Sequence, residues 1–112
     1  MAGGAQLSVT EMRRSTRHPV DVAVIGEHRD RGDMKLHLSN LSAHGFMVDE
    51  APELARGDRV VIRLPVVGRI EAYCMWLSRG RAGFQFERII RLDDFMSVIR
   101  QLQPNPRLQR KA

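Results

Sequence analysis

From Val20 to Glu27, Val20, Val22 and Val24 fall on one side of an extended chain and Asp21 and Ala23 on the other. A period of two predicts a half-buried β-strand. The polar, Gly-bearing run His28 to Asp33 predicts a hairpin loop. Met34, Leu36 and Leu38 then alternate with Lys35, His37 and Ser39 as a second strand, and Phe46-Met47-Val48 begins a third. Ala51 to Gly57 reads as a connecting loop with room for one helical turn. Asp58 to Leu64 is a strand with Val60, Ile62 and Leu64 inward. Arg69 to Ser78 is the longest strand candidate, with Ile70, Ala72, Cys74 and Trp76 on one face and Tyr73, Met75 and Leu77 on the other. Both faces are apolar enough to predict a strand covered on two sides. Ala82 to Glu87 returns, with Phe84 and Phe86 sharing a face.

Only residues 91 to 103 change period. Leu92, Phe95, Met96, Ile99 and Leu102 form a stripe at helical spacing, with Asp93 and Asp94 at its start and Arg100 near its end, as the helix dipole favours. Pro104 and Pro106 stop it. Six short strands and one terminal helix predict a small six-stranded antiparallel β-barrel with the helix packed on it, since closure removes exposed edges. The expected division is a flexible arm over 1–12, one domain over 13–103 and a basic tail over 104–112.

Two polar clusters stand out from this alternation. Arg13-Arg14-Ser15-Thr16-Arg17 lies just before the first strand, and Asn40-Leu41-Ser42-Ala43-His44-Gly45 ends the second. The intervening chain is long enough to go out and return as a hairpin, which would bring the clusters together on one sheet face. Guanidinium groups fork onto phosphate oxygens and onto the O6 and N7 acceptors of guanine. Asn and Ser add hydrogen-bonding groups, and Gly permits close backbone approach. Each residue also has a plainer reading: a solvated basic arm, a turn amide, a turn hydroxyl.

Arg13-x-x-x-Arg17 followed by Asn40-x-Ser42-x-x-Gly45 resembles the paired motifs RxxxR and (D/N)xSxxG of the PilZ domain, a bacterial receptor domain for cyclic di-GMP. Gly80-Arg81-Ala82-Gly83-Phe84-Gln85-Phe86 is similar to the family's late Gly-containing strand, so the resemblance spans roughly residues 11 to 102. It implies a six-stranded β-barrel and a ligand site for cyclic di-GMP made by Arg13, Arg14, Arg17, Asn40, Ser42 and Gly45. In it, Arg13 and Arg17 would hold guanine edges and phosphates, with Arg14 an additional cation. Asn40 stands where many members carry Asp. An amide has one acceptor oxygen where a carboxylate has two with charge, so a lower affinity is expected. Gly45 is expected to serve backbone geometry, and His44 to be a surface residue.

Composition narrows the alternatives. The chain has 112 residues, one domain's length, and a net charge of +5, carried by sixteen Arg and two Lys. Arginine richness fits an anionic partner, although codon bias produces it too. The single Cys74 excludes an internal disulfide and reads as a small core residue. No secretory leader and no membrane-spanning run is expected, and the cytoplasm is the expected location. No enzyme motif is present: the four His lack metal-ligand spacing, Ser42 is in no nucleophile elbow, and no phosphate loop precedes a helix. Trp76, Phe84 and Phe86 have two readings, a base-stacking platform and the core, and with only 5% aromatic residues the core is favoured. The favoured reading is a receptor with no cofactor, which binds cyclic di-GMP and changes the surface offered to an unidentified protein partner. Behind it stand a PilZ-like adaptor without ligand and, lower, a small nucleic-acid-binding barrel, whose affinity would fall steeply with salt.

Overall fold

The computed structural model describes residues 16–102; Arg13, Arg14, the arm and the tail lie outside the described residues. The elements are β1 (His18–His28), β2 (Gly32–Leu41), β3 (Gly45–Asp49), β4 (Arg59–Leu64), β5 (Gly68–Ser78), β6 (Arg81–Phe86) and α1 (Leu92–Leu102). The strands form a closed antiparallel barrel in the order β1-β2-β3-β6-β5-β4, with Glu27 and His28 of β1 pairing Val61 and Val60 of β4 to shut it. No helix interrupts the described chain before α1. In particular, 50–58 is a loop without the helical turn for which the sequence left room.

Alternation explains the core. Leu36 and Leu38, Phe46 and Val48, Val60, Ile62 and Leu64, Ile70, Ala72 and Cys74, and Ala82, Phe84 and Phe86 point inward from successive strands and are buried. Phe46 stacks on Phe84 at 4.8 Å and tilts against Phe86 at 5.5 Å, so three rings from β3 and β6 fill the barrel beneath the cleft described below. Burial pushes the Cys74 thiol above its ordinary pKa and keeps it protonated, in line with its role as a small apolar residue.

Two expectations need correcting. The first concerns β5. Its pairing with β6 shifts register between Cys74 and Trp76: Cys74 sits opposite Phe84 but Trp76 opposite Gly83. Met75 is the extra residue of this bulge, and one extra residue reverses the parity of everything after it. Trp76 therefore leaves the core face and stands outside, 37% exposed, beside an exposed Met75. The distal half of β5 is not covered on both sides.

The second concerns α1. Phe95, Val98 and Ile99 are buried, whereas Leu92 and Met96 of the expected stripe are exposed. The apolar arc of this helix is wider than its contact with the barrel, and the contact centres on the Val98 edge. His18 at the start of β1 meets Phe95 with ring centroids 5.3 Å apart, so the helix braces the point where the chain enters the barrel.

At the opposite end of β1, His28 joins two loops. Its Nδ1 accepts the backbone N–H of Asp30 and Arg31, and its Nε2 lies 3.2 Å from the Asp58 carboxylate. The N–H of Ala55, with lesser help from His28, holds the Asp58 carboxyl below the usual carboxylate range. That contribution to stability is present at neutral pH and is lost as the pH falls through the lowered value. Among the described residues no helix is long and apolar enough to cross a membrane, and no group of side chains is placed to hold a metal ion.

Candidate functional site

The β1–β2 hairpin brings the two polar clusters together. His18 pairs with Leu41 and Pro19 with Asn40, which places Arg17, one residue before β1, beside the 40–45 segment. Arg17, Asn40, Ser42 and Gly45 all line one open cleft of about 420 Å³ on the outer wall of the barrel. Its far wall comes from β5 and β6 and includes Met75, Trp76, Gly83 and Gln85, with Met47 of β3 between. Arg13 and Arg14 lie outside the described residues, so the structure places one of the three arginines.

The tight turn between β2 and β3 is built by Ser42. Its N–H donates to the Gly45 carbonyl at 2.8 Å, and its hydroxyl accepts the N–H groups of His44 and Gly45, each at 3.2 Å. Ser42 is buried, and this hydroxyl works within the turn. The turn is clamped from outside as well: Phe86 N–H donates to the His44 carbonyl at 2.7 Å and Ile90 N–H to the Ala43 carbonyl at 2.9 Å. Gly45 sits opposite Gln85, and a Cβ there would overlap the Phe84 carbonyl oxygen. Both residues shape the cleft through the backbone; for Ser42 the motif spacing alone did not distinguish this from direct contact.

Asn40 and Arg17 behave differently. Asn40 is half-buried, Arg17 is exposed, and neither side chain has a hydrogen bond or ion pair to hold it among the described residues. Gln85, exposed and opposite Gly45, likewise has no side-chain partner among the described residues. A guanidinium and two amides thus line one cleft without partners among the described residues, beside the apolar surface of Met75 and Trp76. No Asp or Glu is among the described residues that line it. Such a cleft suits an anionic, planar, polar-edged ligand.

Met75 and Gln85, which neither polar motif singled out, and Trp76, for which the core was favoured, line the cleft. The available signal was Gly83: a Cβ at Gly83 would overlap the Trp76 indole, so this glycine lets the ring lie down on β6. Gly83→Ala is expected to lift the indole off the sheet with little loss of stability, because a side chain can swing where a backbone cannot. Trp76 is the only tryptophan. Its emission should therefore shift to the red in the variant, and an unchanged spectrum would contradict the packing.

The chain is thus a small closed antiparallel β-barrel with one terminal helix and a polar cleft on its wall. The profile of the PilZ domain family matches residues 11–103, and the chain belongs to that family, one of cyclic di-GMP receptor and adaptor domains and not of catalysts. A crystal structure of the PilZ domain of CeSA from a cellulose-synthesizing bacterium superposes with a TM-score of 0.54 at 26% identity, over 79% of this chain and 95% of that one. No curated protein matches.

Proposed function

We propose that this domain, over residues 13–103, is a receptor for cyclic di-GMP that passes the binding event to a protein partner. The observation that carries the reading is the convergence of Arg17, Asn40 and Gln85 on one cleft, with no side-chain partners among the described residues. Exposed or half-buried polar groups without a partner among the described residues are open to a ligand that arrives with matching chemistry. Arg17, together with Arg13 and Arg14, would take phosphates and guanine edges; Asn40 would accept from a guanine N–H. Ser42 and Gly45 would contribute by holding the turn that presents Asn40. Trp76 and Met75 offer apolar surface for a purine face. Ligand seated across this cleft would tie the segment before β1 to the β5–β6 wall and so change the surface shown to a partner.

Isothermal calorimetry with cyclic di-GMP tests the reading, with GTP and single-stranded DNA as comparison arms. Saturable binding of cyclic di-GMP, with GTP much weaker, is expected. Equal heats from GTP, or affinity for DNA that exceeds that for the dinucleotide and collapses with salt, would replace the receptor by a general polyanion surface.

A further inference from the structure

Gln85 lies outside both polar motifs, yet its placement is the most informative in the cleft. Phe84 and Phe86 point into the barrel, so Gln85 points out. Its neighbour across β3 is Gly45, which has no side chain, and this leaves the amide open toward the side where Asn40 stands. Among the described residues no hydrogen bond fixes which way its oxygen faces. The polar groups offered by the cleft's strands are therefore amides, at Asn40 and Gln85, with no carboxylate among the described lining residues.

That distinction decides which purines fit. The Watson–Crick edge of guanine presents O6 as an acceptor beside N1–H as a donor. Adenine presents the same two kinds of group in reverse order, N6–H as donor beside N1 as acceptor. An amide carries one donor and one acceptor in a plane, and half a turn about its last bond exchanges them. It can pair with either edge. A carboxylate is acceptor-only: it takes N1–H and N2–H of guanine together, but sets a lone pair against N1 of adenine.

We propose that Gln85 reads a purine edge in this cleft, and that its amide makes one of the two base positions tolerant of adenine. The inference rests on the cyclic-dinucleotide reading above and names the ligand class more closely: cyclic dinucleotides with one guanine, held by arginine, and a second purine of either kind. Two adenines would not serve, because the guanidinium fork matches O6 and N7 of guanine while adenine places its amino group there.

Calorimetry with cyclic di-GMP, cyclic GMP–AMP and cyclic di-AMP tests the proposal on the wild type, Gln85→Ala and Gln85→Glu. The wild type should bind the first two within about tenfold of each other and cyclic di-AMP far more weakly. Gln85→Glu should widen the gap between cyclic di-GMP and cyclic GMP–AMP by about 5- to 150-fold, the discrimination expected of a bidentate base contact at 1.4 kcal/mol per decade. Gln85→Ala should weaken both ligands with little change in their ratio. Circular dichroism should show all three proteins equally folded, since the position is exposed. A ratio in the Glu variant equal to that of the wild type overturns the role of Gln85, as does a wild type that rejects cyclic GMP–AMP by more than a hundredfold. A wild type that binds none of the three overturns the receptor reading itself, and this inference with it.

Discussion

Gly45→Ala is expected to cost about 3 kcal/mol of stability or more, and with it the cleft. The added methyl would overlap the carbonyl oxygen of Phe84 and come within 2.9 Å of its carbonyl carbon and 3.0 Å of the Gln85 Cα. These are backbone atoms of the paired strand, so nothing can swing aside, and β3 must separate from β6. In a closed barrel that separation strains the neighbouring pairs as well. It also weakens the bonds that clamp the 42–45 turn, Ser42 N–H to Gly45 and Phe86 N–H to His44. Overpacking of this kind costs roughly 1–3 kcal/mol, and lost buried hydrogen bonds add to it. At roughly 4–8 °C per kcal/mol for a domain of this size, the midpoint of thermal unfolding should fall by roughly 12 °C or more. Gly80→Ala gives the comparison. Gly80 has φ +79° but open space around its Cα, so alanine there meets only backbone strain of about 1–2 kcal/mol. If Gly45→Ala unfolds no earlier than Gly80→Ala, the close approach of β3 to β6 is wrong.

The second large effect is on binding. Arg17→Ala should weaken cyclic di-GMP by about 5- to 150-fold, since one bidentate contact to guanine is worth roughly 1–3 kcal/mol. Arg17→Lys should recover little of the loss: the ammonium keeps the charge and drops the planar fork. Arg63, exposed on the outer face of β4 and across the barrel from the cleft, supplies an equal change of charge at a neutral position. Arg63→Ala should shift affinity by less than about threefold at ordinary ionic strength, where charges beyond about 8–10 Å are screened. Titration of the three variants separates recognition from attraction. Similar losses for Arg17→Ala and Arg63→Ala, with Arg17→Lys close to wild type, would leave only a basic surface.

The elements themselves were legible in the chain because each is signalled by close neighbours. Val20, Val22 and Val24 announce β1, Leu36 and Leu38 announce β2, and the Leu92–Leu102 spacing announces α1, since burial of one face imposes a period on residues two, three or four apart. The hairpin joining Arg17 to Asn40 was legible for the same reason, since its two strands adjoin in sequence; the shift of register between Pro19 and Val22, which sets Pro19 opposite Asn40, was not. What remained hidden depends on strands that meet only when the barrel closes. The bulge at Met75 is a mismatch between β5 and β6, and it alone turns Trp76 from core to cleft. The requirement for glycine at 45 comes from Phe84, thirty-nine residues away, and Gln85 lines the cleft only because β6 lies next to β3. Even the Ser42 hydroxyl, whose motif position is plain, is drawn into its own turn by a local bond pattern that spacing does not reveal. Alternation along a strand decides which residues share a face. Which faces adjoin, and in what register, is decided by pairing between distant strands, where one inserted residue exchanges inside for outside.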